Sequence, residues 1–285
     1  MDAFGPLIST QWLADHLGTD NVKVVDASWR MPGEGSARED YLERHIPGAA
    51  FFDIDAVADR RSDLPHMLAS VAQFEAAVGA MGIGDGDRVV VYDDRGFFSA
   101  PRVWWNFRVM GHEAVAVLDG GLPAWREAGR PLAAGAATAA GVPYFASFRT
   151  AMVASAADVA ARIATGRPNI ADARPAGRFA GVDPEPRPGL RRGHMPGAMN
   201  APLGELVDER GRLLAPEALK ARFEEAGLDL SAPVVTTCGS GVTAAGLLLA
   251  LDVVGCRGGA LYDGAWAEWG DERRDPARFP VVAAT

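Results

Sequence analysis

Ala232-Pro-Val-Val-Thr-Thr-Cys238-Gly-Ser-Gly-Val-Thr-Ala-Ala-Gly-Leu-Leu-Leu249 is an apolar run that meets a glycine-containing turn headed by a cysteine and then re-emerges as a second apolar run. The first run is short and rich in β-branched residues, as expected of a buried strand; the second is long enough for a helix. A strand that passes through a tight turn into a helix is the unit of an α/β sheet, and such sheets carry their ligand sites beyond the C-terminal ends of the strands. Cys238 is expected at that position. The following helix turns its positive end and unpaired N–H groups toward the turn, which favours a thiolate. Gly239 and Gly241 let the backbone curl so that several amides face one point, a cradle for an anion. Cys256, in Val253-Val254-Gly255-Cys256, has no such surroundings and reads as structural.

The same pattern occurs twice. His45-Ile-Pro-Gly-Ala returns as His194-Met-Pro-Gly-Ala, 149 residues further on. Asp26 in Val24-Val25-Asp26-Ala27-Ser28 returns as Asp172 in Asn169-Ile170-Ala171-Asp172-Ala173, with an offset of 146. Val90-Val91-Tyr92-Asp93-Asp94 returns as Val234-Val235-Thr236-Thr237-Cys238, and Leu118-Asp119-Gly120-Gly121 as Tyr262-Asp263-Gly264-Ala265, both offset by 144. Ordered matches at so long a period mean two copies of one domain rather than a solenoid. On this alignment Asp94 stands where the second copy has Cys238, so only one copy carries the thiol.

The boundaries expected are residues 1–132 for the first domain, 133–150 for a linker region and 151–285 for the second domain. The Ala/Gly tract from Pro131 to Gly141 lacks charges, has Leu132 as its one large apolar residue and reads as the linker. Strands are expected at 22–25, 88–92 and 114–118, and helices at 10–17, 71–81 and 99–110, with Ser9 and Ser70 as caps. In the second copy strands are expected at 169–171, 234–237 and 260–262, and helices at 156–164, 216–225 and 242–254. Each domain is therefore α/β, a mostly parallel sheet with helices on both faces.

The chain of 285 residues is 48% hydrophobic and 23% charged, which suits a folded core. A net charge of -9 argues against a nucleic-acid partner. Two cysteines exclude a disulfide framework, and five scattered histidines give no zinc spacing, so no metal is expected. Neither a signal peptide nor a membrane span is expected, which leaves a cytoplasmic location as the default.

The Cys238-Gly-Ser-Gly-Val-Thr243 loop, the doubled His-x-Pro-Gly-Ala, and the pairs Asp119/Trp125 and Asp263/Trp269 in Asp-Gly-x-x-x-x-Trp resemble the tandem rhodanese family of sulfurtransferases. The resemblance covers nearly the whole chain and is strongest to the branch that takes 3-mercaptopyruvate. Glu43 to Asp55, Asp63 to Leu68, Ser99 to Trp105, Gly177 to Phe179 and Glu185 to Arg187 fit that branch as well. The resemblance implies two tandem rhodanese-like domains and a Cys238 persulfide, with no cofactor. It implies that Arg178 and Arg187 bind the substrate carboxylate, and that Gly239, Gly241, Val242 and Thr243 hold the transferred sulfur. It also implies a relay of Ser240, His66 and Asp55, and a thiol acceptor such as thioredoxin or a small thiol, or cyanide. From the residues alone, Arg178, Arg187, Arg191 and Arg192 are equal candidates.

Charge separates the donors. Thiosulfate is a dianion and calls for cations in the loop, whereas this loop offers Gly239 and Ser240. A mercaptopyruvate carboxylate suits a planar arginine fork outside the loop. The competing readings are a thiosulfate:cyanide enzyme, a non-catalytic sulfur carrier or binding module, and a cysteine phosphatase. The last needs an arginine six residues after the cysteine, where Ala244 stands.

Overall fold

The β-branched run at Arg88–Tyr92 forms the strand at the middle of a five-stranded sheet, with Val89, Val90, Val91 and Tyr92 fully buried. In the computed structural model, which describes residues 4–31 and 33–283, it is one of twenty α-helices and strands in two compact units. The first unit comprises the chain up to Arg60, Leu68–Arg149 and Val207–Leu213. Its elements are β1 (Leu7–Ile8), α1 (Thr10–His16), β2 (Val22–Asp26), α2 (Ala37–Glu43), β3 (Ala50–Phe51), α3 (Val71–Ala80), β4 (Arg88–Tyr92), α4 (Ala100–Val109), β5 (Val115–Leu118) and α5 (Gly121–Glu127). The strands lie in the order β1-β5-β4-β2-β3, and every pairing is parallel.

The second unit comprises Arg61–Met67, Thr150–Leu206 and the chain from Leu214. Its elements are β6 (Val153–Ala154), α6 (Ala156–Ala164), β7 (Ile170–Asp172), α7 (Ala176–Ala180), β8 (Met199–Asn200), α8 (Pro216–Glu225), β9 (Val235–Thr237), α9 (Ala244–Val253), β10 (Ala260–Tyr262) and α10 (Ala265–Trp269). Its order, β6-β10-β9-β7-β8, repeats the first, again wholly parallel.

Several expectations meet their elements. Ser9 and Ser70 cap α1 and α3 by accepting from Trp12 N–H and Gln73 N–H. The repeated His-x-Pro-Gly is a turn: Ala49 N–H donates to Ile46 O and Ala198 N–H to Met195 O, while Gly48 and Gly197 take φ of 77° and 73°. Proline then glycine suits that turn type, and each turn delivers the chain into an edge strand, β3 or β8. The motif histidines secure the preceding helix region. His45 stacks on Tyr41 and bonds its carbonyl through Nδ1, and His194 does the same with Phe179.

The units differ from the expected boundaries. Residues 133–149 pack with the first unit rather than standing apart: Val142 N–H donates to Gly79 O, Ser147 N–H to Met110 O and Arg149 N–H to Val109 O. Tyr144 also meets His112 across 3.2 Å. Two short segments, 61–67 and 207–213, belong to the unit opposite their place in the sequence. In the first unit, Leu213 N–H donates to the Asp119 carboxylate at 2.9 Å.

The register also corrects the alignment of the copies. Asp26 pairs with Tyr92, and Asp172 with Thr237. Leu122 N–H donates to Asp93 O as Trp266 N–H donates to Cys238 O. Asp93, not Asp94, is therefore the counterpart of Cys238. The offset of 144 holds for the elements after the loop, but the first copy has one extra residue between its strand and α4. Matching the strand ends by residue type alone passed over that insertion.

Candidate active site

Cys238 follows β9 directly, and its side chain is 3% exposed. The Gly241 N–H donates to its sulfur at 3.1 Å. Gly241 sits at φ 83°, where a side chain would be strained, so a glycine is what allows the loop to turn its amide inward. Ser240, Val242 and the start of α9 are buried around it. A sulfur held by an inward-facing amide at a helix start is in a setting that stabilises negative charge. The loop is anchored from behind: Trp266 and Ala267 N–H donate to the carbonyls of Cys238 and Gly239, both at 2.9 Å. Ala265, which begins that helix, has φ 49°; such strain in a non-glycine residue is held in place by surrounding structure and is common at functional sites.

The first unit shows what such a loop can hold. The Asp93 carboxylate accepts from the amides of Arg95, Phe98, Ser99 and Ala100 at 2.8–2.9 Å. Full burial raises its pKa, and the four amides oppose that rise. The loop in this copy is a filled cradle with the carboxyl group built in.

Geometry sorts the four candidate arginines. Arg191 donates to the carbonyls of Trp269, Gly270 and Phe279, so it closes the end of α10. Arg192 is exposed and reaches Val182 O at 3.3 Å. Arg178 lies over the cysteine loop: a Cβ added to Gly239 would come within 2.9 Å of its Nη2. Arg187 Nη2 lies 3.4 Å from His66 Nε2. His66 comes from the first half of the sequence but from a segment that packs in the second unit; it is 8% exposed and has φ 59°. Asp55 belongs to the first unit, where Trp29 Nε1 donates to it at 2.9 Å.

Four further residues, Asp172, Arg174, Glu185 and Trp266, frame Arg178, and the sequence reading did not include them in the site. Arg174, 1% exposed, forks onto Asp172 at the end of β7 and reaches Glu185 and Gly193 O. Its guanidinium stacks 4.1 Å from the Trp266 ring centroid. Glu185 then bonds Arg178. The first copy has Ser28 at the position of Arg174, so the internal repeat gave no signal for it; an arginine two residues beyond a buried strand-end aspartate was the available clue. Cys256 is a free buried thiol that faces Ala232 O, and burial pushes its pKa up, in keeping with a structural role.

The sequence pattern of the rhodanese-like domain matches residues 9–128 and 155–272, once in each half of the chain. The chain belongs to the rhodanese family. The chain is 42% identical to the 3-mercaptopyruvate sulfurtransferase of Homo sapiens over 270 residues, covering 92% of this chain and 91% of that one. It is 41% identical to the thiosulfate sulfurtransferase of Bos taurus, with the same coverage. Among solved structures, SseA from Escherichia coli, a 3-mercaptopyruvate sulfotransferase, superposes with a TM-score of 0.85 at 40% identity, covering 92% of this chain and 98% of that one. Identity to the human and bovine relatives is nearly equal, so within the rhodanese family it is the loop and its arginines that carry information about the donor. No helix among the described residues is long and apolar enough to cross a membrane.

Proposed function

We propose that this rhodanese moves sulfane sulfur from 3-mercaptopyruvate through a Cys238 persulfide to a thiol acceptor. The observation that carries the choice of donor is Arg178 lying over Gly239, in the space that a loop side chain would take. A cation beside the loop but outside it suits a substrate whose carboxylate is separated from its sulfur; a dianionic donor calls for cations in the loop itself.

In the first half-reaction the Cys238 thiolate attacks the sulfur of mercaptopyruvate. The S–S bond forms as the C–S bond breaks, and that electron pair leaves as the enolate of pyruvate, which then takes up a proton. Arg178 and Arg187 grip the carboxylate. The amides of the loop from Gly239 to Thr243, that of Gly241 foremost, bear the charge on the sulfur in transit and then hold the persulfide. Ser240 and His66 handle the proton between the substrate thiol and the departing carbon. In the second half-reaction a thiolate of thioredoxin or of a small thiol removes the outer sulfur and restores Cys238. Both cysteines are free thiols, which accords with the reducing cytoplasm as the place of action.

The test compares turnover with mercaptopyruvate and with thiosulfate, alongside intact mass after mercaptopyruvate alone. A mass gain of one sulfur atom, lost on adding a thiol, and kcat/KM favouring mercaptopyruvate are expected. Preference for thiosulfate would overturn the donor assignment; absence of the added sulfur would overturn the persulfide.

A further inference from the structure

The loop carrying Arg187 is largely exposed at Val182, Asp183, Pro184, Pro186 and Pro188, yet the side chain of Glu185 in its middle is only 2% exposed. Burying a carboxylate is costly unless its oxygens are fully engaged. Here both are. Oε1 accepts from Arg174 Nη1 at 2.7 Å, and Oε2 accepts from Arg178 Nε at 3.0 Å and from Arg178 Nη2.

The two arginines are not equivalent. Arg174 is held on every side by Asp172, Gly193 O, Glu185 and the face of Trp266, whose own N–H holds the Cys238 carbonyl. Arg178 is 21% exposed and stands on α7, a helix of five residues. A long side chain on so short a helix has many rotamers, and its ordering on substrate binding would cost entropy. Glu185 occupies one edge of the guanidinium, Nε with Nη2, and leaves Nη1 and the end-on edge directed away from that contact.

We propose that Glu185 is a positioning residue for the reaction: it ties Arg178 to the immobile Arg174–Asp172 pair and so presents its remaining edge to the carboxylate of the sulfur donor. The proposal rests on the assignment of Arg178 to that carboxylate. Glu185 touches no reacting atom. Its effect is to order Arg178 before substrate arrives, so that binding costs less.

The experiment uses two alkylating agents that differ only in a carboxylate. Iodoacetate and iodoacetamide both alkylate thiolates, so the ratio of their rates at Cys238, read by peptide mass on protein shown to be folded by circular dichroism, reports the grip on a carboxylate. Arg178→Ala is expected to lower the iodoacetate-to-iodoacetamide ratio and to raise KM for mercaptopyruvate. Glu185→Gln is expected to lower the ratio and to raise KM by roughly 10-fold, with kcat changed less, since misplaced binding groups weaken substrate capture. Glu185→Asp, which keeps the charge but shortens the reach, is expected to fall between wild type and Glu185→Gln. Adding Glu185→Gln to Arg178→Ala is expected to change the ratio no further, because residues acting through one another are not additive. If Arg178→Ala leaves the ratio and KM unchanged, the Arg178 assignment falls. If Arg178→Ala lowers the ratio but neither Glu185 variant does, or if the two effects add, the role of Glu185 alone is overturned.

Discussion

The Asp93 carboxylate and the Ala100 amide meet at 2.8 Å at the start of α4, and the same oxygen also takes the amides of Phe98 and Ser99. Removing the carboxylate strands these donors in a buried place. Asp93→Ala is expected to cost about 3 kcal/mol or more in the first unit, since each buried unsatisfied donor costs on the order of 1–3 kcal/mol. Chemical denaturation followed by the tryptophans of that unit checks it; a loss below about 1 kcal/mol would show that the amides find other partners.

Cys238→Ser is expected to reduce single-turnover pyruvate release to background and to abolish the added sulfur in the intact mass, with the fold unchanged by circular dichroism. Cys256→Ser is expected to leave release intact. Pyruvate released at a normal rate by Cys238→Ser would remove this thiol from the chemistry.

Arg187→Ala is expected to raise KM for mercaptopyruvate by roughly 10- to 100-fold, the range for one lost charge-assisted contact to a carboxylate. Arg191→Ala removes bonds to the end of α10 instead, so it is expected to lower Tm more than it alters KM. Steady-state kinetics beside a thermal melt separate the two outcomes.

Gly239→Arg with Ser240→Lys places two cations in the loop. The new side chain at 239 enters the space of Arg178, so the double variant is expected to lose mercaptopyruvate turnover and to gain in relative preference for thiosulfate. An unchanged ratio of kcat/KM values for the two donors would show that loop charge does not select between them.

Asp26 sets a pH dependence in the first unit. Burial raises its pKa to about 6, against hydrogen bonds from Ser28 and Tyr92 that lower it. The folded state therefore holds a proton that the unfolded chain releases near pH 4. The resulting stabilisation is complete below the unfolded value and is lost as pH rises through about 6. Asp26→Asn is expected to be stabilising at pH 7.5 relative to wild type, by up to about 2–3 kcal/mol, and close to neutral at pH 4. Urea titrations at the two pH values test this; equal differences at both would show that burial does not perturb the group.

The interior of the first sheet was legible because runs of buried β-branched residues, such as Val89–Val91, have few alternatives, and the three-residue strands of the second were legible because they repeat that order. The edge strands β1, β3, β6 and β8 have two residues each and carry no period, so pairing with a neighbour alone defines them. The helices α2, α5, α7 and α10, of five to seven residues, were not among the expected elements, whereas α1, also seven residues, was legible through its Ser9 cap. Within the site, the glycines beside Cys238 announced the amide cradle, because their spacing is itself a backbone property. The division of labour among Arg174, Arg178, Arg187 and Arg191 depends on where each long side chain ends. That is set by tertiary neighbours such as Trp266 and Phe279, many positions away in the chain.

The extra residue between β4 and α4 has a consequence for how the halves diverged. A cysteine written at position 93 would inherit a longer arc than the one that surrounds Cys238, with its amides spaced for two carboxylate oxygens rather than for one sulfur. Building a second reactive centre would therefore require a deletion together with the substitution. Point mutation alone leaves the first half on its own branch, a barrier of loop length rather than of residue identity.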